Sequence, residues 1–330
     1  MSSTKSGSKV ATTGYSLTKD LTMDWIKLKT LGEGCFAVVD LVKIIKPMSC
    51  ILAVKSSPFS CPSLSKEYKI LQQFLGCPYI VQCYGAMMSL GYSEPYFNLF
   101  VEYAPEGNLL NLIQKFGGKI PESYVRCYIR MILGGLCDIH KRGYVHCDLK
   151  PENVLVYPSN QYGLFTLKIG DFGLAKEPEQ SDAPKATPDP LPRFQGTPAY
   201  MSPESLRDGK ITASIDIWSL GCVVLEMMTG TRPWTSTRNP KDLAKKIALT
   251  NDLPYIIPDN MSTEGKDFLM KCFARDPSER WTADMLINHP FLIPDSTLLA
   301  PQRSFLQDPL PDTSSCSERQ PSFSSIRALF

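Results

Sequence analysis

Short apolar runs broken by turn residues dominate the first hundred positions. Trp25-Ile26-Lys27-Leu28-Lys29 leads into Gly32-Glu33-Gly34. Ala37-Val38-Val39-Asp40-Leu41-Val42 follows, and after a loop comes Ile51-Leu52-Ala53-Val54-Lys55. These three runs predict β-strands. Leu64, Tyr68, Leu71 and Leu75 then recur at helical spacing among Lys, Glu and Gln, which predicts one helix. Ile80–Tyr84 and Phe97–Tyr103 read as two further strands. Beyond Gly107 the period changes. Val125, Tyr128, Ile129, Ile132, Leu133, Leu136 and Ile139 fall on one face of a helix of about six turns. Ile215 to Met228 is apolar nearly all round, the pattern of a helix buried inside a lobe. Strands first and helices afterwards argue an α+β protein in two lobes.

The two ends lack such patterning. Residues 1–24 are mostly Ser, Thr, Lys and Gly and predict a flexible arm. Residues 293–330 hold five prolines and eight serines with no sustained period and predict a disordered tail. Between them, residues 25–292 read as the folded part, with an N-lobe over about 25–103 and a C-lobe over about 104–292. At 330 residues the chain exceeds the roughly 250–300 at which single cores stop growing, in keeping with that division.

Composition narrows the function. Lys+Arg 35 against Asp+Glu 33 leaves a charge of +2, which gives no electrostatic case for nucleic acid or a membrane surface. The 11 cysteines include no Cys-x-x-Cys pair, so neither a disulfide framework nor a zinc site is expected. They read as small hydrophobes in a reducing compartment. The N-terminus has no apolar run, and Ile215 to Met228 carries Asp216 and Glu226 and is too short to span a bilayer. The expectation is a soluble intracellular protein, cytoplasmic or also nuclear.

Four motifs occur in a fixed order. Leu31-Gly32-Glu33-Gly34-Cys35-Phe36-Ala37-Val38-Val39 puts glycines on a strand–turn–strand, where backbone N–H groups can approach phosphate oxygens. Ala53-Val54-Lys55 is followed by Glu67 in the next helix. A lysine can hold nucleotide phosphates when a neighbouring carboxylate fixes its long stem. The third motif is His146-Cys147-Asp148-Leu149-Lys150-Pro151-Glu152-Asn153, and the fourth is Asp171-Phe172-Gly173. Asn153 and Asp171 offer the hard oxygens that magnesium shares with phosphates. Asp148 is spaced to accept a proton from an attacking hydroxyl, and Lys150 to stabilise the transferred phosphoryl group. Each motif alone is weak, and a glycine-bearing hairpin is most often only a turn.

Together, over residues 25–292, they resemble the eukaryotic protein kinases. That resemblance implies a bilobal fold, with an antiparallel β-sheet and one helix in the N-lobe and a mainly helical C-lobe. It implies ATP and magnesium as cofactors. Further marks agree: Ser202-Pro203-Glu204 stands where the family has Ala-Pro-Glu, and Arg280 matches the arginine that pairs with that glutamate, here Glu204. Lysine two residues past Asp148 and Gly196-Thr197-Pro198-Ala199-Tyr200 resemble the serine/threonine kinases, in which Thr197 would contact Asp148 and Lys150. Asp216-Ile217-Trp218-Ser219-Leu220-Gly221 and Asn288-His289-Pro290-Phe291-Leu292 are similar to the mitogen-activated protein kinase kinase kinases, and Val145-His146-Cys147-Asp148 to their plant members. The implied substrate is a protein, namely a mitogen-activated protein kinase kinase. The resemblance also implies that Leu31, Val39, Ala53 and Leu155 sandwich the adenine, that Glu102 and Ala104 bond its edge through the backbone, and that Val101 guards the back of the pocket.

Two departures stand out. Ala37 replaces the third glycine of the loop. Cys147 replaces the arginine that pairs with a phosphorylated activation-loop residue. A thiol cannot make that charge-assisted pair, so dependence on loop phosphorylation should be weak, with Lys176 as a substitute cation. The segment from Asp171 to Glu204 carries seven prolines and offers Ser181 and Thr187 as candidate phosphorylation sites. His140 and His289 read as structural. The competing reading is a pseudokinase scaffold, which loss of Lys55, Asp148, Asn153 or Asp171 would have favoured.

Overall fold

In the computed structural model, residues 11–16, 22–34, 37–91, 93–159, 164–177, 196–234, 239–254, 257–293 and 322–327 are described. They form two compact units. One draws on Met1–Gly76, Val81–Tyr103 and Asp308–Phe330, the other on Cys77–Ile80 and Ala104–Gln307.

The first unit is an antiparallel sheet of β1 (Ala11–Ser16), β2 (Thr22–Glu33), β3 (Val38–Lys46), β4 (Cys50–Pro58), β5 (Cys83–Ser89) and β6 (Tyr96–Val101), ordered β1-β2-β3-β4-β6-β5. One helix, α1 (Ser63–Leu71), packs on it and runs on into a 3-10 turn over Gln72–Phe74. Alternation on the strands sends Met23, Trp25, Val42, Ile44, Leu52, Val54, Met87 and Phe100 into one core. Trp25 meets Phe100 edge to face at 5.1 Å.

The structure corrects three expectations here. The arm read over residues 1–24 contains β1, which pairs with β2 through Gly14 opposite Met23 and with β5 through Tyr15 opposite Met88. Its polar sequence hid it, because ladder hydrogen bonds carry the strand. Gly14 is needed there, since a methyl group in its place would come within 2.5 Å of the Trp25 ring. The strand expected at Ile80–Tyr84 instead begins at Cys83, and Ile80 lies outside it, in an isolated bridge to Ile169. The tail read as disordered over 293–330 contains the short helix α9 (Phe323–Arg327), whose Ile326 is 1% exposed in the core of this unit.

The second unit contains α2 (Leu109–Lys115), α3 (Glu122–Lys141), α4 (Pro203–Asp208), α5 (Ala213–Thr229), α6 (Pro240–Leu249), α7 (Thr263–Cys272) and α8 (Ala283–Leu286). The face predicted for α3 is buried. So is α5 from Ile215 to Met227, including Asp216 and Glu226. Glu226 accepts a hydrogen bond from the Tyr200 hydroxyl, and Ser219 donates to the Tyr200 carbonyl at 2.7 Å. The pairing that the resemblance implies is present: Arg280 binds both oxygens of Glu204, at 2.6 and 3.2 Å, with both residues buried. A two-stranded hairpin of β7 (Val154–Pro158) and β8 (Phe165–Ile169) completes the unit and was not predicted, because each strand has only 5 residues and β7 shows no polar alternation. Among the described residues no helix is long and apolar enough to cross a membrane.

Candidate active site

In the first unit the glycine-bearing motif is the β2–β3 hairpin. Gly32 pairs with Val39 and Glu33 with Val38, and Gly34 donates its N–H to the Ala37 carbonyl at 2.9 Å to close the turn. Cys35 and Phe36 lie outside the described residues. Leu31 sits at a register shift and is 39% exposed. Val39 pairs with Lys55, and Ala53 with Val101. Strand periodicity then puts Val39, Ala53 and Lys55 on one face of the sheet. On that face the Lys55 Nζ is 2.7 Å from Glu67 Oε2, and Glu67, on α1, is only 4% exposed. A buried carboxylate is costly unless paired, so each group holds the other in place. Glu102 exchanges bonds with Gln82: its N–H donates to the Gln82 carbonyl at 3.0 Å, and its carboxylate accepts from the Gln82 N–H at 2.7 Å.

The second unit gathers the rest of the chemistry around Asp148. Lys150 Nζ lies 2.7 Å from Asp148 Oδ2 and donates to Thr197 Oγ1 at 2.8 Å. Thr197 in turn donates to Asp148 Oδ1 through its hydroxyl and its backbone N–H, both at 3.1 Å. The residue before it, Gly196, has φ +126°, a backbone conformation that side chains rarely adopt. Glycine there lets the chain turn so that both Thr197 donors face one carboxylate oxygen.

Asn153 ends a 3-10 turn begun by Pro151 and enters β7. Asp171 follows β8. The hairpin register, Val154 opposite Ile169, brings these two residues together, and Gly170 N–H donates to the Asn153 carbonyl at 2.8 Å. The Asn153 amide nitrogen donates to the Asp148 carbonyl at 2.8 Å and to Asp148 Oδ2 at 3.0 Å. That fixes the amide and leaves Oδ1 as the oxygen it can offer a cation. Asp171 has an exposed side chain and a left-handed backbone, φ 59°. Among the described residues no group of three or more His, Cys, Asp and Glu is placed to hold a metal. One amide and one carboxylate oxygen would suit an ion that completes its shell with phosphates and water, as magnesium does. Ala104 lies just before α2, and Leu155 is half-buried on β7.

Three residues that the sequence offered only as structural or as motif members, Asp216, His146 and His140, organise this loop. The Asp216 carboxylate, wholly buried on α5, accepts the backbone N–H of His146 at 2.8 Å, that of Cys147 at 3.0 Å and His140 Nε2–H at 2.9 Å. Burial opposes its ionisation most strongly, yet the hydrogen bonds from the His140 ring and the His146 backbone N–H, with the pull of the two imidazoles, hold its pKa below the ordinary value. His146 Nδ1 accepts the Asp148 N–H at 3.3 Å, so its Nε2 carries the proton and donates to the Gly170 carbonyl at 3.0 Å. One imidazole thus ties the segment bearing Asp148 to the segment bearing Asp171, and its ring packs on Phe172. His140 therefore braces the loop by way of Asp216, while His289 bonds Asp267 away from it.

Cys147 has φ 67°, a left-handed conformation for a residue with a side chain. Such positions cost about 1–3 kcal/mol and persist where the surroundings fix them. Here Asp216 holds the Cys147 N–H. Val145, two residues earlier, forms a two-way backbone bridge with Lys176 at 2.7 and 2.9 Å. Ser181 and Thr187 lie outside the described residues.

Comparison with known proteins identifies the family. The chain matches the model of the protein kinase domain over residues 25–292. Mitogen-activated protein kinase kinase kinase 20 of Arabidopsis thaliana is 37% identical over 280 residues, covering 83% of this chain and 79% of that protein. The kinase kinase kinases numbered 18 and 17 from the same plant are each 38% identical; they cover 82% of this chain and 78% and 70% of their own lengths. The chain belongs to the protein kinase family and is a serine/threonine protein kinase, similar over most of its length to plant mitogen-activated protein kinase kinase kinases.

Proposed function

We propose that this kinase moves the γ-phosphoryl group of ATP to a serine or threonine hydroxyl of a mitogen-activated protein kinase kinase, and so acts within a mitogen-activated protein kinase cascade. One observation carries the chemical half of that reading: Asp148, Lys150 and Thr197 share a closed set of hydrogen bonds around one carboxylate. The names of its relatives carry the cascade half.

The roles follow from the chemistry. Asp148 accepts the proton of the attacking hydroxyl as the new oxygen–phosphorus bond forms and the bond to the ADP oxygen breaks. Lys150, paired with Asp148, neutralises charge on the phosphoryl oxygens in flight. Thr197 orients both. Lys55, held by Glu67, binds phosphates of the nucleotide. Backbone N–H groups of the β2–β3 hairpin cover them. Leu31, Val39, Ala53 and Leu155 contact the adenine, and the backbone at Glu102 and Ala104 bonds its edge. Asn153 and Asp171 would hold magnesium, which would neutralise the phosphate charge. The cytoplasm or nucleus fits the free thiols of the described cysteines.

The pseudokinase alternative gains no observation, since Lys55, Glu67, Asp148, Asn153 and Asp171 are all present. The test incubates wild type, Lys55→Met and Asp171→Asn with magnesium-ATP and a purified plant mitogen-activated protein kinase kinase. Both variants should transfer phosphate at least about 100-fold more slowly. Equal rates in all three would refute the enzyme reading. Transfer to generic substrates but to no kinase would refute the cascade half.

A further inference from the structure

The C-terminal helix α9 is too short to exist by itself, since isolated helices below about 12 residues are marginal in water. Its sequence explains why it holds here. Phe323 and Ile326 are three residues apart and share one face. Ile326 is 1% exposed and belongs to the same core cluster as Trp25, Ile44, Leu52, Val54 and Phe100. The Phe323 ring packs on Tyr84 of β5 at 5.2 Å. At the start of the helix the Ser322 hydroxyl accepts the Ser325 N–H at 3.2 Å. The helix is therefore a ligand of the sheet, made from the chain's own end.

Its far end reaches α1. Arg327 donates to Gln72 Oε1 at 3.3 Å, and Gln72 is the residue at which α1 ends. The other end of the same amide contacts Cys83 Sγ of β5 at 3.5 Å. Gln72 thus links three elements: the docked helix, strand β5 and the helix that carries Glu67. The ion pair of Glu67 with Lys55 requires α1 to stay against β4.

We propose that residues 322–327 form an intramolecular docking segment that occupies an apolar site on the sheet and, through Gln72, holds α1 where Glu67 can pair with Lys55. Release of the segment would uncover that site and loosen the helix, so docking sets the level of activity. Ile326 and Arg327 are positioning residues, and the proposal rests on the kinase reading for its effect on rate, though not for its effect on α1.

The experiment compares the full chain with its Ile326→Asp variant by hydrogen exchange and by rate of phosphate transfer. A synthetic peptide of residues 319–330 is then added in trans. Undocking should raise amide exchange in residues 63–72 about tenfold, with β3 and β4 changed far less. It should lower kcat more than it raises the KM for ATP. The wild-type peptide should reverse both effects saturably, and a peptide carrying Ile326→Asp should not. Unchanged exchange in α1, or equal rescue by the two peptides, would overturn the proposal. A uniform rise in exchange across the sheet would also overturn it, because that marks lost core packing alone. Should Ile326→Asp fail to fold, Ile326→Ala and Arg327→Ala in the full chain take the same measurements. If no chain transfers phosphate, the kinase reading has failed, while exchange and peptide rescue still decide the docking.

Discussion

The buried carboxylate of Asp216 accepts the backbone N–H of Cys147 at 3.0 Å, in a residue whose φ is 67°. A charged group fixed on the most buried helix thereby holds a left-handed turn immediately before Asp148. The strain lies in the loop and the anchor lies in the core.

Replacing Asp216 should therefore damage activity and stability together. Asp216→Ala leaves the buried His146 N–H, the part-buried Cys147 N–H and His140 without their acceptor, at about 1–3 kcal/mol for each unsatisfied buried group. Melting temperature and phosphate transfer should both fall. Acid titration gives a second readout. The folded carboxyl ionises below its ordinary value of 3.8. Its stabilisation is then complete above the unfolded pKa and is lost as pH falls through the lower folded one. Asp216→Asn should flatten the loss of stability below about pH 4; an unchanged acid limb would count against this role.

Phosphatase-treated protein should keep its activity to within about threefold. Cys147 lacks the fixed charge that a phosphorylated loop residue would need. If dephosphorylated protein is inactive and recovers only when phosphate returns, the reading of Cys147 is wrong. Cys147→Arg should make activity more dependent on phosphate.

Thr197→Ala removes the hydroxyl that joins Lys150 to Asp148 but keeps the backbone N–H bond at 3.1 Å. We expect kcat to fall by about tenfold or more, with KM for ATP little changed. Thr197→Ser, which keeps the hydroxyl, should retain most of the rate. Steady-state kinetics of the two variants separates orientation by this hydroxyl from simple packing of the side chain.

Arg280 and Glu204 form a buried pair, and the guanidinium also donates to the carbonyls of Ser214 and Ala274. Removing one partner strands a buried charge, at about 3–5 kcal/mol. Arg280→Met should therefore destabilise strongly in denaturant melts. The double variant Glu204→Gln/Arg280→Met should cost less than the sum of its parts.

Much of this protein could be read from order and spacing. Local patterning determined the long helix α3, the buried helix α5 and the strands around Lys55, and the sequence alone carried the order of the four motifs. It did so because each depends on neighbours a few positions away. Pairing across long gaps was decided only by the fold. Asp216 looked like one polar residue in a buried helix until the structure set it against His146 and Cys147. The β7–β8 hairpin joins Asn153 to Asp171 by a register that neither strand encodes alone. The strand at Ala11–Ser16 is carried by backbone bonds to β2 and β5, and polar side chains gave no sign of it. The helix at Phe323–Arg327 gains its energy by burying Ile326 in a core built from the other end of the chain. Composition marked that segment as tail, and only the tertiary contact made it part of the domain.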